Sequence, residues 1–339
     1  MMKTGLRADS ILTSAEKISP IFIFSILRSG STLLQRILAG HEEISATGET
    51  FLLLPLFYAL KSEGVFSEYE HEFTSGAIRD FCQWLPNGVQ DYHEEIKEMV
   101  LRLYSKASKQ GAKFFLEKTP SYHFIVEDIM ALFPEAKFIF IWRHPLSIAA
   151  SFLTSYGGKG RWVMYMYHQH INQGLTRLVA AYQNHASLVH SLKYEDLILE
   201  PDKTLQNVFD YLELPYSTEV KTSFTQLKLS RGDPHGLKYK TLNKEPLRKW
   251  KGVMTNPLRK AWCRRYLRYL GDTRLKVMGY DLKKIMNEID EIHPNSRYLG
   301  SDIVRMSLVG PITLLSQRQI WLNHTLKSLR TRKPLYILH

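Results

Sequence analysis

The segment 25–33, SILRSGSTL, is the first stretch of the chain whose residue types suggest chemistry. Backbone N–H groups of a short loop that enters a helix converge on an anion, and the hydroxyls of Ser29, Ser31 and Thr32 add hydrogen-bond donors. The segment is therefore predicted to bind a phosphate. Taken alone, it also fits a polar turn in which a serine caps the helix.

The loop differs from the P-loop of nucleoside triphosphatases. That P-loop ends in Gly-Lys-Ser/Thr, with the lysine on the terminal phosphates and the hydroxyl on magnesium. Here Ser31 follows Gly30 directly, so the lysine is missing. A kinase that uses ATP and magnesium is therefore the alternative enzyme and not the preferred one.

A second group of candidate residues follows the apolar run 137–142, KFIFIW. Arg143 stands at the end of this predicted strand, and Ser151 lies about two turns into a helix that is predicted to begin near Pro145. Open α/β sheets bind ligands at the carboxyl ends of their strands. Arg143 and Ser151 are therefore predicted to bracket a second phosphate.

Two further ionisable residues lie between these units. Glu49 stands in the sequence Gly-Glu-Thr, and Lys118 follows the predicted strand 114–116 closely. A glutamate, a lysine and an arginine that meet at strand ends form a reactive combination. Glu117, which precedes Lys118, is expected to form an ion pair or to cap a helix.

The elements that must position these residues are strand–loop–helix units. The runs 21–24 and 137–142 are apolar on both faces, as in buried parallel strands, and helical spacing follows each of them. Further strands are predicted at 114–116 and 188–192, and a helix at 204–214. We predict an α/β fold, with a P-loop-like, doubly wound parallel sheet flanked by helices.

The chain is predicted to form a single domain with helical insertions and a C-terminal helical extension. The insertions are residues 51–110 and 152–186, and the polar, lysine-rich residues 234–250 are predicted to be a loop or lid. The predicted divisions are an N-terminal tail (1–19), the domain itself (20–285) and a basic C-terminal extension (286–339).

An aromatic-rich patch occupies residues 161–168, RWVMYMYH. Its residues Trp162, Tyr165 and Tyr167 either line an acceptor pocket or pack in the core, where aromatic residues at helical spacing are common. Histidines near these rings, such as His144 and His170, are not counted as catalytic, because isolated histidines beside aromatic residues are more often packed.

Composition and charge narrow the functional classes. The 339 residues carry a formal net charge of +12, which favours an anionic partner and leaves a nucleic-acid-binding protein as an alternative from another class. The N-terminal residues 1–17 lack the apolar segment of a signal peptide, and Cys82 and Cys263 are too distant in sequence for a disulfide framework or a metal cluster. We expect a soluble, cytoplasmic protein.

The C-terminal tail is basic and amphipathic. Residues 303–339 contain six lysines and arginines and no acidic residue. Ile312, Leu315 and Leu322 fall on one approximate helical face. A helix of this kind lies on an anionic membrane, which would make the protein peripheral at the membrane, or it docks on its own domain or on a second subunit of a homo-oligomer.

Residues 20–282 resemble the sulfotransferases that use 3′-phosphoadenosine-5′-phosphosulfate (PAPS). The resemblance is to the branch that holds protein-tyrosine sulfotransferases, bacterial stand-alone enzymes and the sulfotransferase domains of polyketide synthases. In that family a Pro-Arg-Ser-Gly-Ser/Thr-Thr-Leu loop binds the 5′-phosphosulfate, and Arg28 to Leu33 match it. The tyrosine enzymes have a catalytic glutamate 21 residues after the loop arginine, as Glu49 follows Arg28.

The resemblance also implies which other residues bind the nucleotide. Lys118 matches the lysine of a Lys-Thr/Ser/Asp-Pro motif, and Tyr194 the tyrosine of Tyr-Glu-Asp/Gln-Leu. The implied cofactor-binding residues are Arg28, Ser29, Gly30, Ser31, Thr32 and Leu33 at the 5′-phosphosulfate, Arg143 and Ser151 at the 3′-phosphate, and Tyr194, Lys240 and Thr241 near the nucleotide. Leu27 and Ser155 depart from the family pattern, which has proline at the first position and, in the tyrosine enzymes, arginine at the second.

The expected reaction is the in-line transfer of a sulfonate group from PAPS to a hydroxyl, and secondarily to an amine, of a carbohydrate, a lipid or a secondary metabolite. Glu49 is the expected general base, while Lys118 and Arg28 stabilise the leaving phosphate oxygen. The expected products are a sulfate ester and adenosine 3′,5′-bisphosphate (PAP), and no metal is expected to be required. The acceptor and the oligomeric state are left open by the sequence.

Overall fold

The computed structural model of the protein describes residues 18–223, apart from residues 66 and 159, and residues 243–314. Within these ranges, five parallel strands form one sheet in the order β2-β3-β1-β4-β5. The strands are β1 (Ser19–Phe24), β2 (Ile44–Ala46), β3 (Phe114–Glu117), β4 (Lys137–Trp142) and β5 (Val189–Lys193). The four predicted strands are confirmed, and β2, which has only three residues, was not predicted.

Helices cover both faces of this sheet. They are α1 (Ser31–Ala39), α2 (Leu53–Tyr58), α3 (His71–Cys82), α4 (Val89–Ala107), α5 (Val126–Leu132), α6 (Pro145–Ser155), α7 (Leu175–Asn184), α8 (Tyr194–Leu199), α9 (Pro201–Leu212), α10 (Val220–Ser223), α11 (Glu245–Val253), α12 (Pro257–Val277, kinked at Gly271), α13 (Leu282–Asp290) and α14 (Leu299–Val304). Short 3-10 turns occupy Pro120–Phe124 and Met164–Met166, and π-helical turns occupy Gln169–Gly174 and Arg305–Val309.

The central strands are apolar on both faces because each face packs against helices. In β1, Ile21 and Ile23 belong to the core layer that contains residues of α1 and α9. The alternating Phe22 and Phe24 belong to the opposite layer, where their rings stack with Phe138 of β4 at centroid distances of 5.9 Å. The predicted fold class, a parallel α/β sheet flanked by helices, is therefore confirmed.

The strand order places the candidate residues at one edge of the sheet. β1 lies between β3 and β4, so the loops that follow these three strands open at the same carboxyl edge. The chain builds β2 and β3 on one side of β1, and β4 and β5 on the other. Ligands of open α/β sheets bind at such a switch of direction.

The segment predicted to be a loop or lid, residues 234–250, is in part helical. Residues 245–250 belong to α11, and the indole of Trp250 is 2% exposed and stacks on the His144 ring at 5.1 Å. The prediction of a loop is wrong for these residues because the polar sequence did not reveal that one tryptophan anchors the helix. Lys240 and Thr241, from the predicted cofactor loop, lie outside the described residues.

The start of the C-terminal extension is attached to the domain by a buried ion pair. Helix α13 runs across residue 285, and Asp302 of α14 accepts hydrogen bonds from Arg259 Nε at 2.6 Å and Nη2 at 3.0 Å. Both side chains are fully buried, and Asn256 donates a further bond to Asp302 at 2.7 Å. Among the described residues, no helix combines the length and the apolar character that a bilayer span requires.

Candidate functional site

The loop between β1 and α1 makes a tight turn that only certain residues tolerate. Arg28 has a φ of 69° and Gly30 a φ of 91°, both in the left-handed region. A Cβ atom on Gly30 would lie 2.2 Å from the ring of Tyr194, so glycine is required both for the backbone conformation and for the close ring. Helix α1 starts directly after this turn. As in any helix, its first backbone N–H groups have no carbonyl of a preceding helical turn to donate to.

Three side chains from distant segments, those of Arg143, Ser151 and Tyr194, meet at this loop. The guanidinium of Arg143 lies over the Tyr194 ring, 4.3 Å from its centroid, and Arg143 Nη1 donates to the Arg28 carbonyl at 2.7 Å. Arg28 Nε donates to the hydroxyl of Ser151 at 2.9 Å. The structure therefore brings together Arg28, Arg143, Ser151 and Tyr194, which the sequence separates by up to 166 positions.

Glu49 and Lys118 form an ion pair beside the start of α1. Lys118 Nζ lies 2.6 Å from Glu49 Oε1 and donates to the Thr32 hydroxyl at 3.1 Å. The lysine side chain is 0% exposed, whereas the glutamate side chain is 17% exposed. A solvent-accessible carboxylate and a buried cation are thus fixed next to the predicted phosphate loop.

Among the residues that the structure describes, Glu117 bonds to hydroxyls and forms neither the expected ion pair nor a helix cap. Its carboxylate accepts hydrogen bonds from the hydroxyls of Thr50 and Thr119, each at 2.9 Å. Burial raises the pKa of Glu117 to about 7, while the hydroxyl donors oppose the rise. The two threonines adjoin Glu49 and Lys118. Sequence reasoning missed the bond of Thr50, because neither residue type nor spacing marks a hydroxyl that bonds to a residue 67 positions away.

Cavities open at several places among the described residues, and two of them have walls close in sequence to the candidate residues. A groove of about 1030 Å³ is lined by residues of α2 and of the 3-10 turn Pro120–Phe124. Helix α2 starts four residues after Glu49, and the 3-10 turn starts two residues after Lys118. A basic cavity of about 930 Å³ is lined by Arg248, Lys249 and Arg297. Thr154, which lies one helical turn after Ser151 in α6, also lines it.

A third cavity, of about 760 Å³, contains part of the aromatic patch. Trp162 and Tyr165 line it together with Trp262 of α12. Tyr167 instead stacks on Phe152 of α6 with a centroid distance of 4.4 Å. The patch is therefore divided between a cavity wall and the core.

Three histidines are held neutral, namely His144 and His170, which were not counted as catalytic, and His123. Burial lowers the pKa of His144 and of His123 to about 3, and that of His170 to about 4. Each ring is therefore uncharged near neutral pH. Across residues 18–223 and 243–314, no group of three or more His, Cys, Asp and Glu side chains has the arrangement of a metal site.

Known proteins resemble this chain in sequence and in fold. A model of the sulfotransferase family matches residues 20–218. The nodulation protein NoeE of Sinorhizobium fredii is 25% identical over 264 residues, which cover 69% of this chain and 60% of NoeE. The chain thus matches less than two thirds of the length of that relative.

Two solved structures share the fold. The sulfotransferase domain from the curacin biosynthetic pathway is 22% identical, with a TM-score of 0.52, over 78% of this chain and 98% of that domain. The sulfotransferase domain of the Synechococcus PCC 7002 olefin synthase is 25% identical, with a TM-score of 0.51, over 71% of this chain and 90% of that domain.

Proposed function

Because the chain belongs to the sulfotransferase family, we propose that it transfers a sulfonate group from PAPS to a hydroxyl, and secondarily to an amine, of a carbohydrate, a lipid or a secondary metabolite. One observation carries the proposal. Lys118 Nζ joins the Glu49 carboxylate, at 2.6 Å, to the Thr32 hydroxyl at the start of α1, at 3.1 Å. A proton acceptor, a cation and an anion-binding loop are thereby combined in one site.

The phosphates of PAPS are assigned to the groups around the β1–α1 loop. The 5′-phosphosulfate fits the loop 28–33, where N–H groups and hydroxyls converge. The 3′-phosphate is assigned to Arg143 and Ser151, which both contact Arg28. Arg143 Nε is buried and has no hydrogen-bond partner among the described residues, so it is available to an anion. Lys240 and Thr241 complete the proposed set from outside the described residues.

The groups in the site match the charge changes of the reaction. The acceptor oxygen attacks sulfur, its proton passes to Glu49, and the bond between sulfur and the bridging phosphate oxygen breaks, leaving its electron pair on that oxygen. Lys118 and Arg28 stabilise the negative charge that develops there, as cations do in related phosphoryl transfers. The products are the sulfate ester, or the sulfamate from an amine, and PAP.

Two alternatives have less support. A kinase that uses ATP would need a lysine after Gly30, where this chain has Ser31. A nucleic-acid-binding protein would use the charge of +12. No further observation on the described residues favours either class.

Calorimetric titration without magnesium tests the proposal. The protein is titrated with PAP, with adenosine 5′-phosphate and with ATP, and PAP is expected to bind most tightly because only PAP carries the 3′-phosphate that Arg143 is assigned to bind. Arg143→Ala should weaken PAP far more than adenosine 5′-phosphate. Equal losses for both ligands would refute the assigned contact, and a preference for ATP once magnesium is added would refute the sulfotransferase activity.

We further propose that the basic extension, residues 286–339, holds the protein at an anionic membrane as a cytoplasmic, peripherally bound enzyme. Four apolar side chains at the start of this extension are each at least 50% exposed, namely Ile303, Val304, Leu308 and Ile312. The excess of basic residues from 303 to the C-terminus complements anionic lipid headgroups. These two properties together favour a lipid surface over a second copy of the chain.

Sedimentation with lipid vesicles tests this membrane contact. The protein should bind vesicles that contain phosphatidylserine, release at high salt, and fail to bind pure phosphatidylcholine vesicles. Leu308→Glu should weaken vesicle binding, whereas the wild-type protein should remain monomeric in light scattering. If the wild type instead forms a dimer that Leu308→Glu dissociates, and does not bind vesicles, the exposed apolar side chains serve self-association.

A further inference from the structure

The carboxylate of Glu117 connects the segment that carries Glu49 to the segment that carries Lys118. One oxygen accepts from the Thr50 hydroxyl and the other from the Thr119 hydroxyl, each at 2.9 Å. Thr50 directly follows Glu49, and Thr119 directly follows Lys118. The two partners of the ion pair are therefore linked a second time, one residue further along each segment.

The carboxylate end of this link is shielded from water, while Thr50 at the other end is an exposed residue. Glu117 is 1% exposed and Thr119 is also 1% exposed. A carboxylate in such surroundings requires hydrogen-bond donors, since an unsatisfied buried charge is strongly unfavourable. The threonine hydroxyls supply these donors, and their direction is set by the carboxylate between them.

The segment after Glu49 is held by the same part of the chain. Phe51 N–H donates to the Thr119 hydroxyl at 3.3 Å, and Leu53 N–H donates to the Tyr122 hydroxyl at 3.3 Å. Phe51 has a φ of 56°, a left-handed conformation that a phenylalanine rarely adopts. A strained backbone of this kind persists only where surrounding contacts determine it.

We propose that Glu117 is a positioning residue that sets the distance and orientation of Glu49 relative to Lys118 through Thr50 and Thr119. The inference rests on the proposed function, because it concerns the same reaction. Glu117 touches neither partner's charged group through a hydrogen bond of its own, and it acts through the two hydroxyls. Loss of the carboxylate should misplace the base while the nucleotide contacts of Arg143 and Ser151 stay intact.

The charge state of Glu117 adds a signature in the pH profile. Its raised pKa, about 7, means that protonation removes one acceptor oxygen near neutral pH. The groups that face this carboxyl are the ammonium of Lys118 and the phenols of Tyr104 and Tyr122, whose pKa values are raised by burial. The phenols stay neutral in this range, so they add no step to the pH profile near 7.

The test compares Glu117→Gln, Thr50→Val and the matched control Thr50→Ser, which keeps the hydroxyl. Two measurements are made on each full-length protein: PAP affinity by calorimetry, and hydrolysis of ³⁵S-labelled PAPS, in which water replaces the unidentified acceptor. Glu117→Gln and Thr50→Val should lower hydrolysis by about tenfold or more with PAP affinity within about threefold of wild type. Thr50→Ser should retain hydrolysis within about twofold.

The pH profile supplies the readout that a purely structural role would not change. Hydrolysis by the wild type should fall as the pH drops through about 7, and Glu117→Gln should lack this step. Unchanged hydrolysis in both variants, or a parallel loss of PAP affinity and hydrolysis, would overturn the positioning role. A wild type that neither binds PAP nor hydrolyses PAPS would instead refute the proposed function and the inference with it.

Discussion

Replacing Glu117 by Gln is expected to change how the stability of the protein depends on pH. The native carboxyl has a pKa of about 7 because of its burial, against 4.5 for an exposed glutamate. Between these two values the native state holds a proton that the unfolded chain has released. The free energy of unfolding contributed by this group therefore falls as the pH rises from about 4.5 to 7.

The magnitude follows from the difference between the two pKa values. Each pKa unit corresponds to about 1.4 kcal/mol, so the full shift amounts to about 3 kcal/mol. Because each carboxyl titrates gradually around its pKa, the free energy of unfolding contributed by Glu117 decreases by about 2 kcal/mol between pH 5 and pH 7. Glutamine cannot titrate, and the variant should lack this component while sharing the pH dependence of every other group.

Urea unfolding of both proteins at pH 5, 6 and 7 measures the effect. The stability of the wild type minus that of Glu117→Gln should fall by about 2 kcal/mol from pH 5 to pH 7. The difference cancels contributions from residues common to the two proteins. A difference that stays constant, or that rises with pH, would refute the buried, proton-holding carboxyl.

The remaining predictions concern the loop, the base and the extension. Gly30→Ala should abolish PAP binding in calorimetry, because its Cβ atom would lie 2.2 Å from the Tyr194 ring. In the control Gly111→Ala the φ is 76° and the space around the Cβ atom is open, so the free energy of unfolding should fall by only about 1 kcal/mol and PAP binding should stay intact. Glu49→Gln should abolish sulfonate transfer with PAP affinity within about threefold, and unchanged turnover would remove Glu49 as the base. Asp302→Asn should destabilise the protein by about 3–5 kcal/mol in urea unfolding, whereas Asp272→Asn, which alters an exposed pair, should cost under about 1 kcal/mol.

Local sequence was sufficient to identify the sheet and the loops at its carboxyl edge. The strand 137–142 is predicted at the bounds that the structure has, because a run that is apolar on both faces has few alternatives to a buried parallel strand. The loop 25–30 is marked by glycine and hydroxyl residues between such a strand and a helix. The three-residue β2 has too few residues for a pattern, and its pairing with β3 alone defines it.

The site itself illustrates the limit of sequence reasoning. Lys118 and Arg143 are visible in the chain as written because they follow predicted strands, whereas Glu49 was selected by its spacing from Arg28, which matches that of the sulfotransferase family. The bonds that place them are not visible there. The two hydrogen bonds to Glu117, for example, depend on which way the hydroxyls of Thr50 and Thr119 point.

Gly30 and α11 show the same limit. The ring that makes Gly30 necessary comes from Tyr194, 164 positions away, and α11 forms on a polar sequence because Trp250 packs on His144. Four of the five strands and the loops that carry the candidate residues could be predicted from the residues alone, because hydrophobic periodicity and local backbone preference are short-range properties. The partners of each side chain could not, because contacts between distant segments arise from the packing of the whole domain.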